Sequence, residues 1–456
     1  MRTHFSLALL GLSDWIPRQR FLQKAYSILP PWIRRWVLAK VAGAISRGSD
    51  FGTLRSEAGK DFDRSVPAAQ VRSPSLRASD GLNVFGYLRG QFGLGESARM
   101  YAKALLAAGY PVALNDIDLG LPHGMQDASL MPHVGTEAPF AANLIFVNPD
   151  FLRQALESIG QAKLEGRHTI ACWFWELDEI PEEWCWAIDA VDCIMVASSF
   201  VEEAFRKVTA KPILRVPLPV SGGEDSGLSR QDFGLVSDEF VFLTTFDFHS
   251  SIHRKNPYAA IAAFRKAFPP DRNDVKLVVK SSNGHHHPGQ LRELLSEAVR
   301  DPRIVVRDQI LDKAHMHALQ RCADSYVSLH RAEGFGLGLA ECMALGKPVI
   351  GTAWSGNLDF MTNANSCLVD YRLVPVGEGE YQYAEGMQWA EADVDQAAAY
   401  MKRLVDAPGF ASNLGTQAKV DIRDRLSPSE AARAITGYLE SLSGGTNKEV
   451  RSEPHE

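Results

Sequence analysis

The stretch from Ser328 to Asp370, SLHRAEGFGLGLAECMALGKPVIGTAWSGNLDFMTNANSCLVD, constrains the fold of this chain more than any other. An apolar run, Ser325 to Leu329, leads into it, and a second, Val349 to Gly351, follows the Gly346-Lys347-Pro348 turn. The order reads as strand, glycine-rich turn, short helix, glycine stop and strand. Such a βαβ unit aims a helix N-terminus and a bare backbone at one spot, which is how proteins hold phosphate. Gly334, Gly336 and Gly338 carry no Cβ, so a ligand can approach the amides of Gly334-Phe335-Gly336-Leu337-Gly338. The helix expected from about Leu337 adds the positive end of its dipole. Glu333 falls on the turn, where a carboxylate can accept from sugar hydroxyls. Glu341 falls about one turn into the helix, placed to accept from a cis-diol such as a ribose. Taken singly, such glycines can merely cap elements and such carboxylates can merely face water. Two carboxylates at this spacing, followed by Gly-Lys-Pro-Val-Ile-Gly-Thr, favour a ligand site.

These residues resemble a known family. Glu333 and Glu341 match the E-x7-E signature of retaining glycosyltransferases with the GT-B fold, most like glycosyltransferase family four, the group 1 glycosyltransferases. The resemblance runs from about Val84 to about Leu439. It implies two Rossmann-like, doubly wound α/β domains facing a cleft, with Glu333 at the donor hexose and Glu341 on the ribose of the nucleotide. It also implies a lysine on the donor pyrophosphate, which Lys255 fits, and commonly an arginine about five residues earlier. Asp247 and His249 occupy that neighbourhood instead, and Arg254 is the substitute expected here.

A chain of 456 residues suits two domains, and 45% hydrophobic content supplies two cores. The net charge of −7 argues against a nucleic-acid binder. The six cysteines form no CxxC pair and read as reduced core thiols of a cytoplasmic protein. Residues 1–48 differ, with Arg2, Arg18, Arg20, Lys24, Arg34, Arg35, Lys40 and Arg47 against the single acid Asp14. The apolar run Phe5 to Leu12 is too short to span a bilayer and lacks a small-residue cleavage site, so neither a membrane span nor a signal peptide is expected. Trp32, Ile33, Trp36, Val37, Val41 and Ile45 recur at helical spacing among basic residues. Such a helix either lies peripherally on the inner face of a membrane or packs on the protein's own surface.

The expected organisation is a basic amphipathic extension at 1–48, a polar linker at 49–80, a first domain at 81–217, a second at 228–444 and a disordered tail at 445–456. In the first domain, strands are expected at Leu82–Tyr87, Pro111–Asn115, Asn143–Val147, His168–Phe174, Cys193–Ala197 and Ile213–Val216. Gly93 and Gly95 are read as ending the first strand, before a helix that starts at Glu96-Ser97. The resemblance places that loop at the cleft, beside the donor diphosphate or the acceptor. Four tryptophans interleave with acids in WFWELDEIPEEWCWAIDAVD. Glu176 and Asp178 follow a strand, where ligands gather in open α/β sheets. They and Trp175 are the acceptor-side candidates, although most of these tryptophans are expected to pack the core. Pro217 to Gly227 reads as the interdomain linker. Strands are expected at Phe240–Thr245, Lys276–Lys280 and Ile304–Val306, and helical regions at His315–Cys322, Asp393–Leu404 and Ser429–Leu442, the last crossing back to the first domain. His285-His286-His287 reads as a solvated loop. Three Asp-x-Asp triplets, Asp61–Asp63, Asp116–Asp118 and Asp393–Asp395, lack the helix–strand surroundings of a metal site.

The function expected from these readings is metal-independent transfer, with retention, of a hexose such as mannose or glucose from a nucleotide sugar. The acceptor expected is a saccharide or lipid-linked saccharide of surface polysaccharide biosynthesis. No resident cofactor is expected. A nucleotide-sugar epimerase of the same form and a non-catalytic sugar-binding module are the alternatives.

Overall fold

The computed structural model describes residues 81–223 and 226–445. The basic extension, the 49–80 linker, the Asp61–Asp63 triplet and residues 446–456 of the expected tail lie outside the described residues. No helix among the described residues is long and apolar enough to cross a membrane.

The first sheet has strands β1 (Leu82–Gly86), β2 (Val112–Asp116), β3 (Ala142–Phe146), β4 (His168–Cys172), β5 (Cys193–Val196) and β6 (Ile213–Arg215). All run parallel in the order β2-β1-β3-β4-β5-β6. Helices α1 (Gly93–Ala107), α2 (Pro149–Ile159), α3 (Cys185–Asp189) and α4 (Ser199–Arg206) make the crossovers. Strands such as ANLIF and CIMV are apolar throughout because helices cover both faces of the sheet.

The second sheet has strands β7 (Phe240–Asp247), β8 (Val275–Ser282), β9 (Ile304–Asp308), β10 (Ser325–Ser328), β11 (Val349–Thr352) and β12 (Cys367–Val369). They also run parallel, in the order β12-β11-β10-β7-β8-β9. Its helices are α5 (Ile252–Lys255), α6 (Pro257–Ala267), α7 (Pro288–Ala298), α8 (Lys313–Cys322) and α9 (Leu337–Ala344). Strand order reverses at β1/β3 and at β7/β10. A crevice opens beyond the carboxyl ends at such points, and there an open α/β sheet binds its ligands.

An antiparallel hairpin, β13 (Tyr371–Pro375) and β14 (Gln388–Ala392), was not expected from the sequence. Its connection leaves the second domain, and Tyr381, Met387 and the buried Trp389 pack into the core that holds Trp175 and Trp184. Helices α10 (Val394–Asp406), α11 (Pro408–Arg425) and α12 (Pro428–Gly445) complete the chain. α12 crosses to the first domain, where the Tyr438 hydroxyl lies 3.0 Å from His168 Nε2. The Pro217–Gly227 linker is docked at its start: Leu218 and Val220 are buried, and the Val220 amide donates to the Leu426 carbonyl.

Two glycines behave differently from the expectation. β1 ends at Gly86, so Gly93 opens α1 and Gly95 lies inside it. A Cβ on Gly95 would sit 2.4 Å from the Gly90 carbonyl oxygen, so this glycine lets α1 press against the preceding turn. Gly346 ends α9 with φ of 75°. α11 packs on that turn, and a Cβ on Gly415 would lie 2.1 Å from the Gly346 oxygen. Gly415→Ala is therefore expected to cost about 1–3 kcal/mol by overpacking. Denaturant unfolding measures this, and an unchanged midpoint would contradict the contact.

Candidate functional site

The carboxyl ends of the two sheets face each other across a cleft of about 1230 Å³. On the second-domain wall, β7 runs into a tight turn that carries Arg254 and Lys255 on the four-residue α5. Ser251 and Asn256 flank these cations with φ of 65° and 47°, left-handed values that cost a non-glycine residue about 1–3 kcal/mol. The Ser251 hydroxyl donates to the Glu380 carbonyl and accepts from the Arg254 amide, and the Asn256 side chain accepts from the Ala259 amide. The strain fixes where the two cations point.

They point at Glu333. Lys255 Nζ lies 2.5 Å from Glu333 Oε1, and Arg254 Nη1 lies 3.2 Å from Oε2. Arg254 also donates to the Ala332 carbonyl at 2.9 Å and stands 3.4 Å from Glu176 of the first domain. The Glu333 amide donates to Ser355 Oγ at 2.8 Å, and Ser355 is itself left-handed, with φ of 77°. Burial opposes the charge on Glu333, but Lys255 and Arg254 overcome it and bring the carboxyl down to about 2. Burial pushes Lys255 down from its ordinary value despite Glu333.

Glu341 is the centre of a second cluster. It pairs with Lys313, accepts from Gln320 Nε2 at 2.8 Å and lies 3.8 Å from His317. Lys313 in turn lies 2.8 Å from Glu96 of α1, which holds Arg99 at 2.7 Å. One ammonium thus ties α1 of the first domain to α9 of the second. Burial acts against both carboxyls. Lys313 and Arg99 nevertheless bring Glu96 down to about 2, and Lys313 and His317 hold Glu341 well below the carboxylate range.

The glycine-rich loop is a contact between domains. Ser198 Oγ donates to the Gly334 carbonyl at 2.6 Å, and the Ser199 amide donates to Asp359 at 2.8 Å. A Cβ on Gly334 would lie 2.8 Å from the Trp175 carbonyl oxygen, so only glycine permits this approach. Gly334 through Gly338 line the cleft, with Gly336 at φ of 94° opening α9. The Phe335 ring is buried against Phe360, with centroids 5.2 Å apart.

The other expected site residues divide. Gly93 and Glu176 line the cleft; Gly95 does not. The Tyr381 hydroxyl, brought over by the β13–β14 connection, donates to Glu176 at 2.5 Å. Asp178 is turned away, 3.9 Å from Lys207. Trp175 is packed inside, 1% exposed, with Nε1 donating to the Glu179 carbonyl. Its ring offers no face to a sugar, because Trp184 and Tyr381 cover it. Of the histidine run, His285 and His286 are exposed, but His287 lines the cleft with Nε2 3.1 Å from His249 Nδ1. Asp116 and Asp118 are held by Arg89, and Asp393 caps α10. Among the described residues, no group of three or more His, Cys, Asp or Glu is placed to hold a metal ion. Sequence reasoning missed Lys313, Gln320, His317 and Tyr381. Each comes from a segment far from its partner in the chain, and none carries a local motif.

Comparison with known proteins bears on the second domain first. Residues 240–395 match the model of the family "Glycosyl transferases group 1". This supports the resemblance read from Glu333 and Glu341. Sucrose-phosphate synthase from Thermosynechococcus elongatus is 16% identical with a TM-score of 0.58, over 80% of this chain and 100% of that one. HepE from Anabaena, solved with UDP and glucose, is 13% identical with a TM-score of 0.59, over 79% of this chain and 100% of that one. A glycosyltransferase from Rickettsia africae is 13% identical with a TM-score of 0.58, over 79% of this chain and 98% of that one. The architecture is the two-domain GT-B fold. None of the curated proteins matches this sequence.

The Glu96 and Glu333 carboxyls, both near 2 when folded, add stability that is complete above their ordinary value of 4.5 and is lost as pH falls towards 2. Lys313→Met should lower stability at pH 7 by about 2–3 kcal/mol. That is less than the ~3–5 of a fully buried pair, because the lysine side chain is 30% exposed. The variant should also lose less on acidification, because Glu96 has then lost its main partner. Melting curves from pH 7 to pH 3 measure both effects, and parallel curves would contradict the bridging role of Lys313.

Proposed function

We propose that this chain is a retaining glycosyltransferase that moves a hexose from a nucleotide sugar to a saccharide or lipid-linked saccharide acceptor. The observation that carries the reading is Glu333. It is a buried carboxylate kept ionised by Lys255 and Arg254, at the switch point of the second sheet, beside the glycine-rich start of α9. The group 1 match over residues 240–395 supports it, as does the shared fold of HepE, which was also solved with UDP-glucose.

The chemistry to be met is a charge problem. As the bond between the sugar C1 and the phosphate oxygen breaks, positive charge grows on the ring and negative charge on the leaving diphosphate. The α9 amides and the cations of this wall face the leaving group, and preorganised dipoles and charges of this kind are the largest source of catalysis in such sites. A ligand that large and charged need not find a metal where protein cations are already fixed. Glu333 accepts from the hexose hydroxyls, and it shares the Arg254 guanidinium with Glu176. Retention follows if the acceptor oxygen attacks C1 from the face the phosphate leaves, handing its proton to the departing phosphate oxygen. Glu176, held by Arg254 and Tyr381, borders the acceptor side. Ribose binding at Glu341 requires an exchange of partners, since Lys313 and Gln320 occupy both carboxylate oxygens and Glu341 does not line the cleft as it stands.

Thermal shift with UDP-, GDP- and ADP-sugars tests the reading. The correct donor at a hundred times its Kd should add roughly 2.7 kcal/mol. Glu341→Ala should then weaken that donor by about 1.5–3 kcal/mol, roughly ten- to a hundredfold. Glu333→Gln should bind it nearly as well but turn over far more slowly. No stabilisation by any of these donors would contradict the proposal, and so would conversion of the donor to its epimer without an acceptor.

A further inference from the structure

β8 reads VKLVVKSS, apolar but for two lysines. Lys276 is half-buried at its start and pairs with Glu239 at 2.5 Å. Lys280, near the carboxyl end, is 7% exposed and lines the cleft. Among the described residues its ammonium makes no hydrogen bond and no ion pair, while its backbone is held in the sheet. A buried ammonium without a partner is costly, and proteins rarely keep one without a ligand to meet it.

Its neighbours show where it stands. In the sheet register Lys280 lies opposite Thr245 of β7, and residues paired in this way share a face. Thr245 Oγ1 is 2.7 Å from the Tyr326 hydroxyl, and a Cβ on Gly338 would lie 2.5 Å from that hydroxyl and 3.5 Å from Thr245 Oγ1. Lys280 therefore sits beside the first turn of α9. On its other side Lys280 lies opposite Arg307 of β9, and the carboxylates that act on its charge, Asp247 from the end of β7 and Asp308 from the end of β9, are both engaged elsewhere. Asp247 accepts from Asn283 and from the His249 amide, and Asp308 accepts from Ser281 and the Gly284 amide.

The other cations of this wall are matched already. Arg254 and Lys255 are paired with Glu333, and Lys313 with Glu341 and Glu96. Ser250 stands five residues before Lys255, so no cation comes from that position. A diphosphate arriving at α9 brings at least two negative charges, and Lys280 is the cation there with its charge uncommitted. Resting on the glycosyltransferase reading, we propose that Lys280 binds the diphosphate of the donor. Burial has pushed the lysine down to about 8, against the pull of Asp247 and Asp308, so its charge is lost as pH rises through that value.

Calorimetry with UDP, GDP and ADP tests this on the full chain. The wild type should bind at least one of them, more weakly as pH rises from 7 to 9. Lys280→Met should lose about ten- to a hundredfold in affinity for the same nucleotide, the range for a hydrogen bond to a charged group, and the pH dependence with it. Lys280→Arg should keep the affinity and remove the decline above pH 8, because a guanidinium does not titrate there. That second variant decides the matter if the first folds poorly. Wild type that binds none of the three nucleotides overturns the glycosyltransferase reading and this one together. Nucleotide binding that Lys280→Met leaves unchanged, or a decline that Lys280→Arg retains, overturns the role of Lys280 alone.

Discussion

A carboxylate taken out of water must be met by cations, and the pairing of Glu333 with Arg254 and Lys255 is what the rest of this site is built around. Removing one partner from a buried pair costs about 3–5 kcal/mol, so the backbone has to hold both ends. It does so with strain. Ser251 and Asn256 bracket the cations, and Ser355 receives the Glu333 amide, all three in left-handed conformations. Strain of this sort persists where surrounding structure over-determines it, and it gathers at functional sites. The parallel strands β7 and β10 bring these two segments together at the point where the strand order turns.

The same electrostatics joins the two domains. Glu176 reaches Arg254 from across the cleft, Lys313 links Glu96 to Glu341, and Tyr381 crosses on the β13–β14 connection to bond Glu176. Gly334 allows the approach because no side chain stands between its loop and the Trp175 carbonyl. The groups that would grip a nucleotide sugar are thus the groups that hold the domains against each other. On the proposed reading, a ribose at Glu341 would replace Lys313, which links that carboxylate to Glu96 of the first domain.

Much of the fold was legible because parallel strands buried on both faces announce themselves as short apolar runs between glycines. The twelve strands of the two large sheets all fall on or near such runs except the three-residue β12. The helix at Leu337 and its stop at Gly346 followed from glycine placement. The β13–β14 hairpin stayed hidden because β13 is short and largely exposed, without an alternation of apolar and polar residues, and its partner contacts lie in another domain. α11 stayed hidden because Gly409, Gly415 and many charges blur its apolar stripe. At the site, Glu333, Lys255 and the glycine loop were readable since they sit in one motif or beside one strand end. Lys313, Gln320 and Tyr381 were not, because only the tertiary fold brings them within reach. Lys280 did leave a local signal, an ionisable residue near the end of an apolar buried strand.

The stereochemistry of the product tests the central claim most directly. A donor of known anomeric configuration, an acceptor and excess EDTA would be incubated with the protein, and the new glycosidic linkage read by proton NMR. Product formed under chelation with the donor's configuration kept is the expected result, since on the proposed reading fixed cations and helix amides neutralise the leaving diphosphate. Inverted product would contradict the same-face attack and require a side-chain base, with Glu176 the first candidate on the cleft wall. Activity lost in EDTA and restored by magnesium or manganese would contradict the cationic cradle.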